Sequence, residues 1–387
     1  MLTPLGLEPS FGFGDRLGLA TPGHIAAVKS TRFNPIFAQQ SVRENLRTGR
    51  TPQDVMDTAK RAVESAGWDA DWGADADHLK SVDDLPSFVN AGYTFFTIDP
   101  GEFVDNAADT DPINNLAQKL INVDLAEFEK TYIHNQEDLG FGSINKEILK
   151  RAIAKYGKAI SHTEAMYRRL SELKDHFDFE VSVDETDSAT SPFEHYFIAN
   201  ELIRKGVKFT SLAPRFIGRF EKGVDYIGDL QALDLEFAKH AKVTAYFGTY
   251  KISLHSGSDK FSVYPLLVKH WGKMIHVKTA GTSYLEALRT LAQYRPELFG
   301  SIWKLGLERY DTDRLSYHVS ADPLQIDVLL NNADLLDNFH AREILHVTFG
   351  SAITHYGAEI NEALITHKDG YLTNLKRHFC KHLDLLR

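Results

Sequence analysis

"TYKISLHSGSDKFSVYP", residues 249–265, is the stretch on which the fold turns. Its first part alternates as a strand does, with Ile252 and Leu254 on one face and Lys251, Ser253 and His255 on the other. A Gly/Ser turn and a helical run follow. A strand flanked by helical segments belongs to a parallel sheet, whose two faces are normally apolar. Here one face is ionisable. The conflict resolves if that face looks into a closed barrel, where outward side chains meet the helices and inward ones near the C-terminal mouth line a functional site.

The same rhythm recurs on both sides of this stretch. Strand-like runs occur at 10–15 (SFGFGD), 35–41 (PIFAQQS), 72–78 (WGADADH), 94–100 (TFFTIDP), 177–185 (FDFEVSVDE), 207–216 (VKFTSLAPRF), 250–257 and 274–281 (MIHVKTAG). A helical segment follows each of them. Thr21-Pro22 reads as a helix cap and first turn, and Gly206 as a helix stop. Eight βα units without adjacent hairpin strands predict an α/β fold of the (β/α)8 TIM-barrel type over residues 1–289, with an open doubly wound sheet as the alternative. Residues 290–387 read as a mainly helical C-terminal extension packed on the barrel.

Polar residues fall on the inward face of strand after strand. "DFEVSVDE" sets Glu180, Ser182 and Asp184 against Phe179, Val181 and Val183, and "MIHVKTAG" sets His276 and Lys278 against Ile275 and Val277. Thr97 and Asp99 in "FTIDP" and the neighbouring pair Asp77-His78 complete the set. Unpaired ionisable groups in a closed core cost several kcal/mol each, on the order of the transfer penalties of buried charges. For one residue, such as His276 or His318, a satisfied inner contact or solvated strand end is the plainer reading. Repetition over five strands points instead to a polar functional pocket. Two imidazoles with several carboxylates and no thiolate suit a divalent cation of intermediate hardness, Mn, Co, Ni or Zn.

Composition narrows the partners. The chain has 387 residues, 43% hydrophobic and 25% charged, with a formal net charge of −10, which disfavours a nucleic-acid surface. No apolar run is long enough to span a bilayer, and "MLTPLGLEPSFGFG" lacks the layout of a secretory signal, so a cytoplasmic protein is expected. The single cysteine, Cys380, excludes an internal disulfide and sits in a helical context. "GFGDRLG" lacks the third glycine of a dinucleotide loop, and neither GxxxxGK[ST] nor GxSxG occurs. Residues 256–258 (SGS) read as opening a helix, where backbone N–H groups could hold an anion, or as a plain turn.

The blocks "FGFGDRLGLATPGH", "IFAQQSVRENLRTGRT", "GADADH", "FEVSVDETDSATSP", "RFIGRFEKGVDYIGDL", "YKISLHSGSDKFSVYP", "HVKTAGTSYLEAL" and "LHVTFGS" together resemble the tagaturonate/fructuronate epimerase family, over about residues 11–351. The resemblance implies a divalent-metal-dependent epimerase acting at C4 of ketohexuronates, with fructose and tagatose as substrates of some relatives. It implies Asp77 as proton acceptor, Glu180 as proton donor, and His78, His255 and Glu221 as metal ligands, with Asp184 or Glu185 as alternatives to Glu221. Arg215, His276 and Lys278 are the candidates for holding substrate hydroxyls or a carboxylate. The chain begins almost at the first barrel block, which leaves uronate and neutral ketose both open as substrates. The expected partner is a small sugar or sugar acid, and a homo-oligomer is compatible with the chain. The chemistry the resemblance suggests is retro-aldol cleavage and re-addition, or a transient hydride shift. The competing functions are a metal-dependent ketose aldolase, a C1/C2 isomerase and a non-catalytic sugar-binding barrel.

Overall fold

Eight parallel strands pair in chain order, and the eighth returns to the first, so the sheet has no edge. They are β1 (Ser10–Phe13), β2 (Asn34–Ser41), β3 (Gly73–Leu79), β4 (Phe95–Ile98), β5 (Asp178–Val183), β6 (Ser211–Pro214), β7 (Lys251–Leu254) and β8 (Ile275–Thr279). None strays more than one residue outside its expected stretch, and the β1–β8 pairing excludes the open sheet. This computed structural model describes residues 1–134, 139–327 and 330–387.

The outward faces form the core against the helices. Phe11, Phe13, Phe96, Ile98, Phe179, Val181, Leu212, Ile252, Leu254 and Val277 are all buried in one apolar cluster. Full burial of each such side chain contributes roughly 1.5–3 kcal/mol, so the barrel wall is held chiefly from outside. Helix starts follow local chemistry: Ser41 with Glu44, Thr51 with Asp54 and Ser191 with Glu194 form reciprocal capping boxes. The helix Thr21–Val28 departs from expectation at its cap. Its first turn contains Pro22 as read, but Thr21 is not the cap; the Asp15 carboxylate accepts the backbone N–H groups of Gly18, Leu19, Ala20 and Thr21. The triplet 256–258 opens no helix either, since the next one begins at Tyr264. Gly257 is there for space: a Cβ would lie 2.7 Å from Val277 and 2.9 Å from the Lys278 carbonyl.

Beyond β8 the chain is helical, and residue 289 lies inside the helix Thr282–Tyr294. The last helix, Lys368–Leu385, lies over the outside of β1, where Phe379 packs on Phe11, Phe13 and His24 at 6.3, 5.1 and 4.9 Å between ring centres. Gly23 permits that approach, because a Cβ there would stand 2.6 Å from Leu375. Cys380 is half-buried on the same helix. Among the described residues, no helix is long and apolar enough to cross a membrane.

The N-terminal end of the barrel is closed. Leu5 packs with Ile36 and Phe95, and the Asp178 carboxylate accepts the N–H groups of Leu5 at 2.6 Å and Gly6 at 3.1 Å. Polar side chains can therefore meet solvent only at the opposite end.

Candidate active site

At the open end, β3 makes the decisive departure from regular geometry. Neighbouring strand residues face opposite ways, so Asp77 and His78 should not share a side. The β3–β4 register shifts between Ala76 and Leu79, and His78 adopts φ of +52°. This bulge re-aims His78 and brings the pair to one place, a strained conformation of the kind held at functional sites. His78 then stands 3.7 Å from Asp77 and 5.0 Å, ring to ring, from His255 at the end of β7.

Beneath them lies a charge network centred on Lys278. Its ammonium contacts Asp77, stands 2.6 Å from Asp75 and 3.3 Å from Glu180, and donates to Thr97 Oγ1 at 2.7 Å. Glu180 is 0% exposed and accepts from His255 Nε2 at 2.6 Å, Ser211 Oγ at 2.6 Å and Thr97 Oγ1 at 3.2 Å. Burial would raise its pKa, but Lys278 and His255 override this and hold the carboxylate ionised, well below the usual range. Asp77 is likewise held down by Lys278, His78 and His255 against its burial. Asp75 goes the other way: burial, with Asp77 and Glu180 nearby, raises it to about 7 despite Lys278.

Three side chains offer ligand atoms within 4.8 Å of one another: His78, Asp184 and His255. Asp184 Oδ1 lies 3.2 Å from His255 Nδ1 and accepts from Ser182 Oγ. The buried His78 Nδ1 has no hydrogen-bond partner and stands 3.6 Å from Asp99 Oδ2. Burial opposes charge on both imidazoles, yet Asp77 and Asp99 push His78 up to about 10, and Asp184 and Glu180 raise His255. The carboxylates demand positive charge at this spot. Two imidazoles and one carboxylate with open positions form a donor set that fits a divalent first-row cation, and Glu180 behind His255 supplies the outer-shell carboxylate such ligands use. A second gathering, Asp259, His378 and His382, fits one poorly. Arg342 already stands 3.0 Å from Asp259, and His382 Nε2 accepts the Asp259 N–H at 3.0 Å.

The remaining expected residues separate. Glu221 is absent from the three-ligand group: its Oε2 accepts from Ser320 N at 2.8 Å and Oγ at 2.7 Å, and its Oε1 faces Arg219 at 3.2 Å. Asp184, the alternative read from the sequence, stands in the group instead, while Glu185 faces Arg43 at 3.9 Å. His276 does not face the mouth. It lies deeper, fully buried, with Nδ1 on Ser10 Oγ at 2.9 Å and its ring 5.2 Å from that of Phe95. Lys278 is committed to carboxylates as described, and Arg215 lines a cavity of about 300 Å³ beside Asp184 and His255. Asp75 was missed, although its spacing of two from Asp77 puts it on the same strand face. Tyr317, also on the cavity wall, could not have been found from local pattern: Arg47 ties its hydroxyl at 2.6 Å across the fold.

A family model described as tagaturonate epimerase matches residues 3–386. The tagaturonate/fructuronate epimerase of Thermotoga maritima is 44% identical over 401 aligned positions, covering 98% of this chain and 81% of that protein. Native and glycerol-complexed crystal structures of the fructuronate-tagaturonate epimerase UxaE from Cohnella laeviribosi match with a TM-score of 0.95 at 35% identity, over 100% of this chain and 83% of theirs. A probable tagatose 6 phosphate kinase from Sinorhizobium meliloti, 11% identical with a TM-score of 0.53 over 98% of this chain and 100% of its own, shares the fold alone.

Proposed function

Because this chain belongs to the tagaturonate epimerase family, we propose that its barrel mouth interconverts D-tagaturonate and D-fructuronate at C4, by acid–base chemistry at Asp77 beside a divalent cation held by His78, Asp184 and His255. The chain is an isomerase of the epimerase class, and its substrate is a small sugar acid. One observation carries the site assignment: the β3 bulge sets a carboxylate and an imidazole from consecutive residues side by side at the mouth. Mn, Co, Ni and Zn all suit the donor set. A lone cysteine suits the reducing cytoplasm, the compartment we propose.

The C4 hydroxyl is β to the substrate ketone, so loss of its proton lets the C3–C4 bond break, giving an enediolate and an aldehyde. Asp77, ionised by its contact with Lys278, takes that proton. A carboxylate held so far down is a weak base and needs an acidified hydroxyl. When bound, a divalent cation supplies that Lewis acidity. The aldehyde then presents its other face, the bond reforms, and C4 is inverted. Lys278, in contact with Asp77, Asp75 and Glu180, links the carboxylates that pass the proton back to the new C4 oxygen. Glu180, expected as the donor, has no exposed surface and sits behind His255. It reaches the reaction through Lys278 and orients His255.

The test is incubation of metal-stripped and metal-reloaded protein with each uronate, products being identified by NMR. Appearance of the C4 epimer only in the reloaded sample supports the reading. No turnover of either uronate with any of the four cations overturns it.

A further inference from the structure

The cavity beside the ligand group has two ends of opposite character. At one end stand Asp184 and His255; along the β6 loop stand Arg215 and Lys222. Other cations near the mouth have anionic partners: Lys278 has three carboxylates, Arg219 has Glu221 at 3.2 Å, and Arg43 has Glu185 at 3.9 Å. Arg215 and Lys222 have none. Among the described residues, the Arg215 guanidinium makes no ion pair or side-chain hydrogen bond, and the Lys222 ammonium donates only to Ser256 Oγ at 2.6 Å. Two unmatched cations in a chain of net charge −10, on a wall that also carries Phe216, Phe220 and Tyr317, form a receptor for an anion.

Resting on the epimerase reading above, we propose that Arg215 and Lys222 hold the carboxylate of the sugar acid and set the preference for a uronate over the neutral ketose. A chain-like polyol with its oxygens toward His255 and Asp184 places its far terminus along this wall. A neutral ketose ends there in a primary hydroxyl, which leaves both charges unmatched. The fork of Arg215 suits a carboxylate bidentately, while Lys222 adds a point charge.

Titration calorimetry on the metal-loaded enzyme, with D-tagaturonate and D-tagatose as probes, decides this. Wild type binds the uronate roughly ten- to hundredfold more tightly, as charge-assisted hydrogen bonds predict. In the R215Q/K222M double variant that ratio falls to near one, and in R215K it is partly retained. If the double variant does not fold, the single variants R215Q and K222M each lower the ratio severalfold. A preference absent from wild type, or one that survives both substitutions, overturns the proposal. Turnover of tagaturonate by wild type, followed by NMR, tests the epimerase reading separately. A silent enzyme that still prefers the carboxylate keeps this inference and overturns that reading.

Discussion

The mouth and the floor of this barrel are built from the same residue types and behave oppositely. At the mouth, His78 sits among Asp77, Asp99 and other carboxylates and is pushed up to about 10 against its burial. At the floor, His276 is lowered to about 3 by burial, which the more distant Glu180 does not offset. Lysine divides in the same way. Lys278 is raised by its three carboxylates in spite of burial. Lys251 is lowered to about 8 by burial, its ammonium resting on the Glu8 carbonyl at 2.7 Å and Ser10 Oγ at 2.9 Å. A polar inward face is thus no sufficient sign of a site. The local density of opposite charge, together with access from one end, makes the mouth chemical and leaves the floor structural.

Substitutions on the two sides should separate these roles. The largest effect is expected for Asp77→Asn, which removes the proton acceptor and lowers turnover by roughly 10²–10⁴-fold. Thermal melting should remain within a few degrees of wild type; turnover within threefold of wild type would break the contrast by showing that the mouth is no more chemical than the floor. Glu180→Gln should weaken metal affinity by roughly 10–100-fold, because His255 loses its charged partner. Competition with a chromogenic chelator reads this directly, and unchanged affinity would return Glu180 to the role of donor alone.

On the floor, His276→Ala should leave turnover within a few-fold of wild type while destabilising the fold by about 1–3 kcal/mol through a lost buried contact with Ser10. Denaturant unfolding with parallel kinetics would reveal the reverse pattern if His276 touches substrate. The most gradual effect is the pH dependence contributed by neutral histidines away from the mouth. His24, His240 and His382 are lowered by burial to about 4, 3 and 3. A lowered folded-state pKa means that stability is fully present above the unfolded value of about 6.5 and declines as pH falls below it, because the unfolded chain takes up protons first. Each such group adds to the decline between those limits. A melting temperature that is flat from pH 6.5 to 4.5 would count against it.

The sequence made the barrel legible because both of its periodicities are local. Apolar residues two apart mark each outer strand face, and capping pairs such as Ser41 with Glu44 mark where helices start. Alternation also placed Glu180, His255 and Lys278 on inward faces. It cannot rank them by depth, so His276 and Lys278 look equivalent in the sequence although the two lie in different layers. The third ligand stays open in the sequence among Glu221, Asp184 and Glu185 for a related reason. Glu221 sits in a loop whose path depends on Ser320, about a hundred residues later in the chain.

What the amino-acid order determined by itself is the set of groups facing the barrel axis, since side-chain direction follows from a backbone repeat of two. Tertiary structure alone decided which of those groups meet. The bulge at His78, the closed floor under Leu5 and the union of β3, β5 and β7 at one end are products of chain packing. Coulomb energy depends on separation and dielectric, and neither is written in any single strand.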